Sequence, residues 1–526
     1  MPKMNIYWGD LHDNVNQHAN WHVSEEQCLK IARAHLDFYA PAYYTSQAKR
    51  IPVEAAGQSI GITLETWKTP EKIAEQWARI EELTGRYNEP GRFITFPAYE
   101  WQGDGLSGDH NVVFRTEGGA VHMVDTLTEL YQKLRGQDAI AIPHHMGYRL
   151  GARGKDWHVQ DDKISPFVEV FSAHGSSETD EESGGLRRNS KLGPCSGGQS
   201  YQDGLDMGYH IGATASPDGE GAYPGIYSWG LAAVLAPELT RDALWNAFLN
   251  RRVYGVTGDR IRLDFRINGA LMGDCIAAKG ARQIEVSVEG LDEIDRIELL
   301  RDGRVIHTQA HQGTWSVPSG RSRFKCRIEA GWGMFPQEAG PLPSRRWQGQ
   351  LTLPSGAAFI DAQPCWLSGE QYAPVLSGTV ATFTIDAPQA NAATWPVLNK
   401  YNSHVFEFEA NADDQLQIEM DGLKAVLPVA GLCSHSRVLA DSETAVRRLK
   451  ELYNIDPAAN QRPAIAEMFA QRVKIHRAVP EAGYTCSFKM EDDTPLQGEH
   501  NYRIRVEQRN GQKAWSSPIW VRSNDR

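Results

Sequence analysis

The sequence predicts an α/β fold in its first half and a mostly antiparallel β fold in its second. Three observations carry this. Up to about residue 260, short apolar runs alternate with capped amphipathic stretches, the pattern of strands that cross over through helices to parallel neighbours. From about Ile261 the texture changes to period-2 alternation with turn signals, the pattern of antiparallel strands. Over all 526 residues, 41 % are hydrophobic, 23 % charged and 9 % aromatic. These are globular proportions, so both halves can bury a core. The expected domains are residues 1–260 and 261–526.

The elements follow in order. Met4–Trp8 is a strand-like apolar run. Ser24-Glu-Glu-Gln27 reads as a capping box, with Cys28, Ile31, Ala32 and His35 following at helical spacing. Thr69-Pro70 reads as a cap with proline at the first helical position, and Ile73, Trp77 and Ile80 form the buried stripe. Phe93–Phe96 is a strand, and Asp125 caps a short helix that turns Leu127, Leu130 and Leu134 inward. Ala139–Ile142 and Phe167–Phe171 are further buried strands, and Thr240 caps a helix carrying Leu244, Ala247 and Phe248. In the second half, Arg262–Ile267 and Gln283–Val288 alternate, and Asp295–Ile306 reads as two strands about an Asp-Gly turn. Similar runs recur at Thr379–Ile385, His404–Ala410 and Asn501–Glu507, with a helical insert near 442–473.

Charge and cysteine usage narrow the function classes. The formal net charge is −12, with no Lys/Arg run, which disfavours non-specific binding to nucleic acid or an anionic membrane. No stretch reaches the 18 or so uninterrupted apolar residues of a membrane span. The N-terminus carries no signal-peptide h-region, and the seven cysteines are scattered without a CxxC pair. Both fit a cytoplasmic protein with free, mostly buried thiols. Nothing fixes the oligomeric state.

Histidine points to the chemistry. Of 17 histidines, 11 fall in the first 210 residues. Several sit, with carboxylates, where an apolar strand ends: Asp10 and His12 after Met4–Trp8, Glu100 after Phe93–Phe96, and His144 with His145 after Ala139–Ile142. Phe167–Phe171 contains Glu169 and leads to His174, and Asp218 follows Ile211–Thr214. A βα barrel assembles its active site at the C-terminal ends of its strands, and His with Asp or Glu suits Zn, Mn or Fe. His22, His35, His122, His158 and the six later histidines read as solvated or capping residues, and His210 is ambiguous.

The ordered set Tyr7-Trp-Gly-Asp-Leu-His12, Phe96-Pro-Ala-Tyr-Glu100, His110-Asn-Val-Val-Phe, Pro143-His-His145, Glu169-Val-Phe-Ser-Ala-His-Gly175 and Gly212-Ala-Thr-Ala-Ser-Pro-Asp218 resembles the PHP (polymerase and histidinol phosphatase) superfamily. More narrowly it resembles the PHP-related family DUF3604, as do Leu239–Ile261 and Ala514–Trp520. The resemblance implies a distorted (βα)7 PHP-type barrel followed by a mostly antiparallel, β-sandwich-like C-terminal half. It also implies up to three metal ions at the barrel mouth and hydrolysis of phosphate esters.

Departures from the superfamily pattern reshape that expectation. Asn14 stands where a second histidine of His-x-His is usual, Tyr43 and Tyr44 replace an Asp-His, and Asp218-Gly-Glu220 replaces Asp-x-His. By resemblance, one metal takes His12 and Asp218, with Asn14 possible. A second takes His110 and either His144 or His145, and Glu100 bridges the two. A third site would need a histidine such as His18 plus positions now held by Tyr44 and Glu220, so one or two divalent ions are expected. His174, Glu220, Tyr43 and Tyr44 are candidates for proton transfer, and Arg149, Arg153 and Arg260 for an anionic substrate group. The reading is a metal-dependent hydrolase acting on a small phosphate ester or related anionic ester. The alternatives are a metal-dependent lyase or non-phosphate hydrolase using Tyr43 and Tyr44, and a non-catalytic ligand-binding protein.

Overall fold

The computed structural model describes residues 4–16, 23–45, 68–181, 185–186, 193–220, 223–311, 315–332, 344–387, 401–459, 466 and 470–523. The chain forms two compact units. The first comprises Met1–Gly290, Ile294–His311 and Ser487–Arg526, and the second Leu291–Glu293 and Gln312–Cys486. The β-rich half is thus divided: its strands at 262–310 and 499–523 belong with the N-terminal residues.

The first unit is mixed α/β and rich in sheet. Its elements begin β1 (Asn5–Val15), α1 (Glu25–His35), β2 (Phe38–Tyr44), α2 (Pro70–Tyr87), β3 (Ile94–Thr95), β4 (Ala98–Trp101) and β5 (His110–Phe114). They continue α3 (Leu127–Leu134), β6 (Ala139–Pro143), β7 (Phe167–Ser172), β8 (Gly175–Ser176), α4 (Tyr201–Asp206), β9 (Gly212–Ala215), β10 (Gly219–Glu220), β11 (Leu231–Ala236), α5 (Arg241–Leu249) and β12 (Val253–Val256). The caps read from sequence hold at Ser24, Thr69 and Thr240. α3 is capped by Thr126 rather than Asp125, because Thr126 closes a reciprocal capping box with Glu129.

The main sheet runs β12-β11-β1-β2-β4-β5-β6, and beyond β12 it continues through Lys513–Ser516, Glu499–Gln508, Ile519–Ser523 and Cys275–Ala278. β1, β2 and β4 are parallel, as expected. β4, β5 and β6 are antiparallel, which departs from strict βα alternation. The reason is the connection: only residues 102–109 separate β4 from β5, and a parallel crossover needs about a dozen or more. A separate three-stranded sheet has the order β8-β7-β9, with β7 and β9 parallel. The core between strands and α5 is built from Leu11, Phe38, Ile94, Phe96, Trp245 and Phe248. Gly9 has no substitute there, since a Cβ would lie 2.4 Å from both the ring and the carbonyl oxygen of Phe38. No helix among the described residues is long and apolar enough to cross a membrane.

The second unit holds two sheets, one of six strands and one of five, around a shared apolar core that includes Phe324, Trp347, Phe383, Phe406, Phe408 and Ile418. The helix expected near 442–473 spans Ser442–Tyr453, and Arg472–Ile475 is a strand. His404 is fully buried in this unit, its Nε2 2.8 Å from the Thr384 carbonyl oxygen. Burial pushes its pKa down to about 4. Its folded value lies below the unfolded one, so the native state binds fewer protons between the two. Stability is therefore expected to fall as pH drops from about 6.5 to about 4, by about 3 kcal/mol for this group. Urea unfolding monitored across that window checks it, with His404→Gln flattening the slope.

Candidate metal centre

The strand ends converge on one buried cluster. β1 carries one more residue than β2 between Asp10 (opposite Tyr39) and Asp13 (opposite Pro41). This bulge contains His12, and bulges re-aim side chains. Glu100 lies on β4 opposite Tyr44 of β2 and Asn111 of β5. β5 is antiparallel, so its first residue, His110, lies beside the ends of β4 and β6, opposite Trp101 and Pro143. His144 and His145 follow β6, Glu169 lies within β7, and His174 sits in the turn to β8. Asp218 follows β9, its N–H donating to the His12 carbonyl at 2.9 Å. His145 and Asp218 have φ of 35° and 47°. Side chains rarely adopt this left-handed region, and such strain concentrates at functional sites.

Three overlapping groups of potential ligand atoms form, each within 4.8 Å. They are His12, Glu100, His144 and Asp218; Asp109, His144 and His145; and His145, His174 and Asp218. The His12 Nε2 lies 3.7 Å from Glu100 and 3.5 Å from Asp218. Its Nδ1 lies 3.0 Å from Glu169. With Nδ1–H given to that carboxylate, Nε2 presents its lone pair to the cluster, an arrangement common for metal-ligating histidines. His144 Nε2 is 3.8 Å from Glu100, His145 Nε2 is 3.5 Å from Asp109, and His174 Nε2 is 3.3 Å from Asp218.

The electrostatics match the crowding. Burial pulls His12 down, but Asp218 and Glu169 outweigh it and hold the imidazole well above its ordinary range. Burial pushes His110 and His144 well below theirs and takes His174 to about 4. Burial raises Glu169 and Asp218. Asp109 is lowered despite its burial, because the Arg153 guanidinium is bonded to it.

The donor set fits a divalent cation. His12 Nε2, Glu100 Oε2, His110 Nε2, both ring nitrogens of His144, His145 Nδ1 and Asp218 Oδ2 are buried without a hydrogen-bond partner. Each such atom costs about 1–3 kcal/mol, so a concentration of them marks a place that a ligand completes. Mixed imidazole and carboxylate is the chemistry of Zn, Mn and Fe sites.

The remaining sequence candidates lie variously. Asn14 donates to Asp218 Oδ1 at 3.4 Å, so it borders the cluster. His110 adjoins the cluster but belongs to none of the three groups; its Nδ1 is 3.2 Å from the Gly108 carbonyl oxygen. Tyr44 neighbours Glu100 across the β2–β4 pair. Tyr43 turns away, donating to Gln76 of α2 at 3.0 Å and packing near Trp77. Arg260 donates to the His35 carbonyl at the end of α1, beside the N-terminal rather than the C-terminal end of β2. Arg149 is exposed. The backbone of Glu220 pairs with Asn14, while its side chain lies outside the described residues, as does His18. Two contributors were not singled out. Asp109 precedes an antiparallel strand, where a search of strand C-terminal ends does not look. Tyr148, whose hydroxyl is 2.7 Å from His174 Nδ1, lies in a loop without a motif.

The fold and cluster define a sheet-rich α/β protein with a buried His/Asp/Glu centre able to hold metal. The family model of DUF3604, described as a protein of unknown function, matches residues 13–182 and 214–279, so this N-terminal region is similar to that family. It is similar to an uncharacterized protein of Chlamydia pneumoniae, 26 % identical over 337 residues, covering 58 % of this chain and 48 % of the relative. An uncharacterized Chlamydia trachomatis protein is 25 % identical over 339 residues, with the same two coverages. The chain thus spans about half the length of these curated relatives. Among solved structures, it is similar to a two-domain Bacteroides vulgatus protein described as containing a predicted PHP-like metal-dependent phosphoesterase. That similarity has 9 % identity and a TM-score of 0.29, covering 81 % of this chain and 95 % of the other.

Proposed function

We propose that the first unit is a metal-dependent hydrolase of PHP type, acting on a small phosphate ester or related anionic ester. The observation that carries this reading is the convergence of His12 in the β1 bulge, Glu100 on β4, His144 after β6 and Asp218 after β9 on one buried point. These four residues would hold one divalent ion, and Asp109 and His145, which form an overlapping group with His144, are donors beside it for a second. A bound divalent ion supplies Lewis acidity, acidifying water and neutralising charge that builds on a substrate oxygen.

The chain's own residues supply the rest. Glu169 fixes the His12 ring, and Arg153 fixes Asp109. His174 is the proton carrier: with Nδ1 accepting from Tyr148, its Nε2 proton faces Asp218. The elimination reading leaned on two tyrosines. Tyr43 is engaged with α2, so that reading rests on Tyr44 alone and hydrolysis is better supported.

Metal analysis of the purified protein, followed by a phosphatase screen with added Mn or Zn, tests the proposal. The expected result is at least one divalent ion per chain and metal-dependent ester cleavage. Fewer than about 0.2 ions per chain under every loading condition would sink it.

A further inference from the structure

A second cluster lies outside the metal centre. Of the seven cysteines, Cys275 is the exposed one; Cys28, Cys326 and Cys365 are buried and the other three half-buried. Cys275 opens the strand Cys275–Ala278, the last of the main sheet's order, opposite Trp520 of Ile519–Ser523. Its Sγ lies 3.4 Å from Nδ1 of His210. The other ring nitrogen, Nε2, lies 2.5 Å from Oε1 of Glu499. Trp520 stacks on the imidazole, centroids 4.7 Å apart, which holds the ring in plane between its two partners.

This is the arrangement of an activated nucleophile: thiol, base, and a third group that orients the base. The Glu499 carboxylate accepts a hydrogen bond from Nε2–H, so Nδ1 is left to accept the thiol proton, and the resulting imidazolium lies between thiolate and carboxylate. The other charged groups around the ring are Arg522, bonded to Glu499; Asp162, whose Oδ2 accepts from the His210 N–H at 3.3 Å; and Arg251, over Trp520 at 5.5 Å. The imidazole is held above its ordinary range, by the Cys275 contact first and by Glu499, against the opposing effect of burial.

We propose that Cys275 is a reactive thiol, activated by His210 and Glu499, that exchanges with low-molecular-weight disulfides. The thiol proton passes to His210, and the thiolate attacks one sulfur of R–S–S–R. A Cys275–S–S–R bond forms as the R–S–S–R bond breaks, and the departing thiolate leaves with the electron pair and takes the proton from His210. Exchange needs an accessible thiolate and no oxyanion stabiliser, and an exposed cysteine on an edge strand offers that access.

The test uses the intact protein and oxidised glutathione as probe, with adducts located by peptide mass spectrometry and Cys275→Ser as the assignment control. An unassisted thiol loses thiolate by roughly 75-fold between pH 8 and pH 6. The Cys275 adduct rate is expected to fall by no more than about threefold over that range. His210→Gln is expected to restore the steep dependence, and Glu499→Gln to slow the pH 6 reaction severalfold. A steep profile in the native protein overturns the proposal, as does a flat one that survives His210→Gln. If His210→Gln does not fold, an unchanged pH 6 rate in Glu499→Gln overturns it instead.

Discussion

His12→Ala is expected to abolish turnover and to weaken divalent metal binding by at least about a hundredfold, the upper end of what even a supporting-residue loss costs. His12 is the residue on which the cluster closes. Its Nε2 faces both Glu100 and Asp218, and its Nδ1 is tied to Glu169. Glu169→Gln separates these roles, because an amide oxygen still accepts from Nδ1–H while the charge is gone. Its expected loss of metal affinity is smaller, about tenfold. Thermal unfolding with and without metal reads both variants. At a free metal concentration near 100 times Kd, binding stabilises the native protein by about 2.7 kcal/mol. That increment should vanish in His12→Ala and survive, at higher metal concentration, in Glu169→Gln. An unchanged increment in His12→Ala would place the metal elsewhere.

How much of this was legible in the sequence depended on how local each signal was. His12, Glu100, His144 and Asp218 were visible because each follows an apolar run short enough to be a buried strand. Asp109 was not, because it becomes a neighbour of His145 only when the 102–109 loop turns the chain back antiparallel. The same loop explains the departure from strict βα alternation. Tyr43 and Tyr44 are adjacent in sequence, yet only the strand's two-residue period decides which faces α2 and which neighbours Glu100. The expected break near residue 260 followed a real change of pattern, but pattern does not say which sheet a strand joins. Glu499–Gln508 and Ile519–Ser523 pair into the first unit's sheet, hundreds of residues from its first strand.

That long-range closure includes a buried electrostatic lock, and breaking it is expected to be strongly destabilising. Glu178 is fully buried. One carboxylate oxygen accepts from Arg503; the other accepts from Arg505 at 3.1 Å and from the Trp515 indole N–H at 2.7 Å. Burial alone would raise its pKa, but Arg503 and Arg505 outweigh it and take it to about 2. The folded value lies below the ordinary one, so this contribution is present above about pH 4.5 and is lost as pH falls toward 2. Glu178→Ala leaves Arg503, 1 % exposed, as a buried charge without its counterion. The expected cost is about 3–5 kcal/mol, read by urea unfolding at pH 7. Replacing the pair together, as Glu178→Leu with Arg503→Met, removes the stranded charge and is expected to recover most of that loss. Glu178 also follows closely on the turn that bears His174, its N–H donating to Ser176 at 3.2 Å. The double variant should therefore refold the unit yet keep reduced turnover, if the lock positions His174 as well as closing the sheet. Equal stability losses in the single and double variants would show that the ion pair contributes through packing alone.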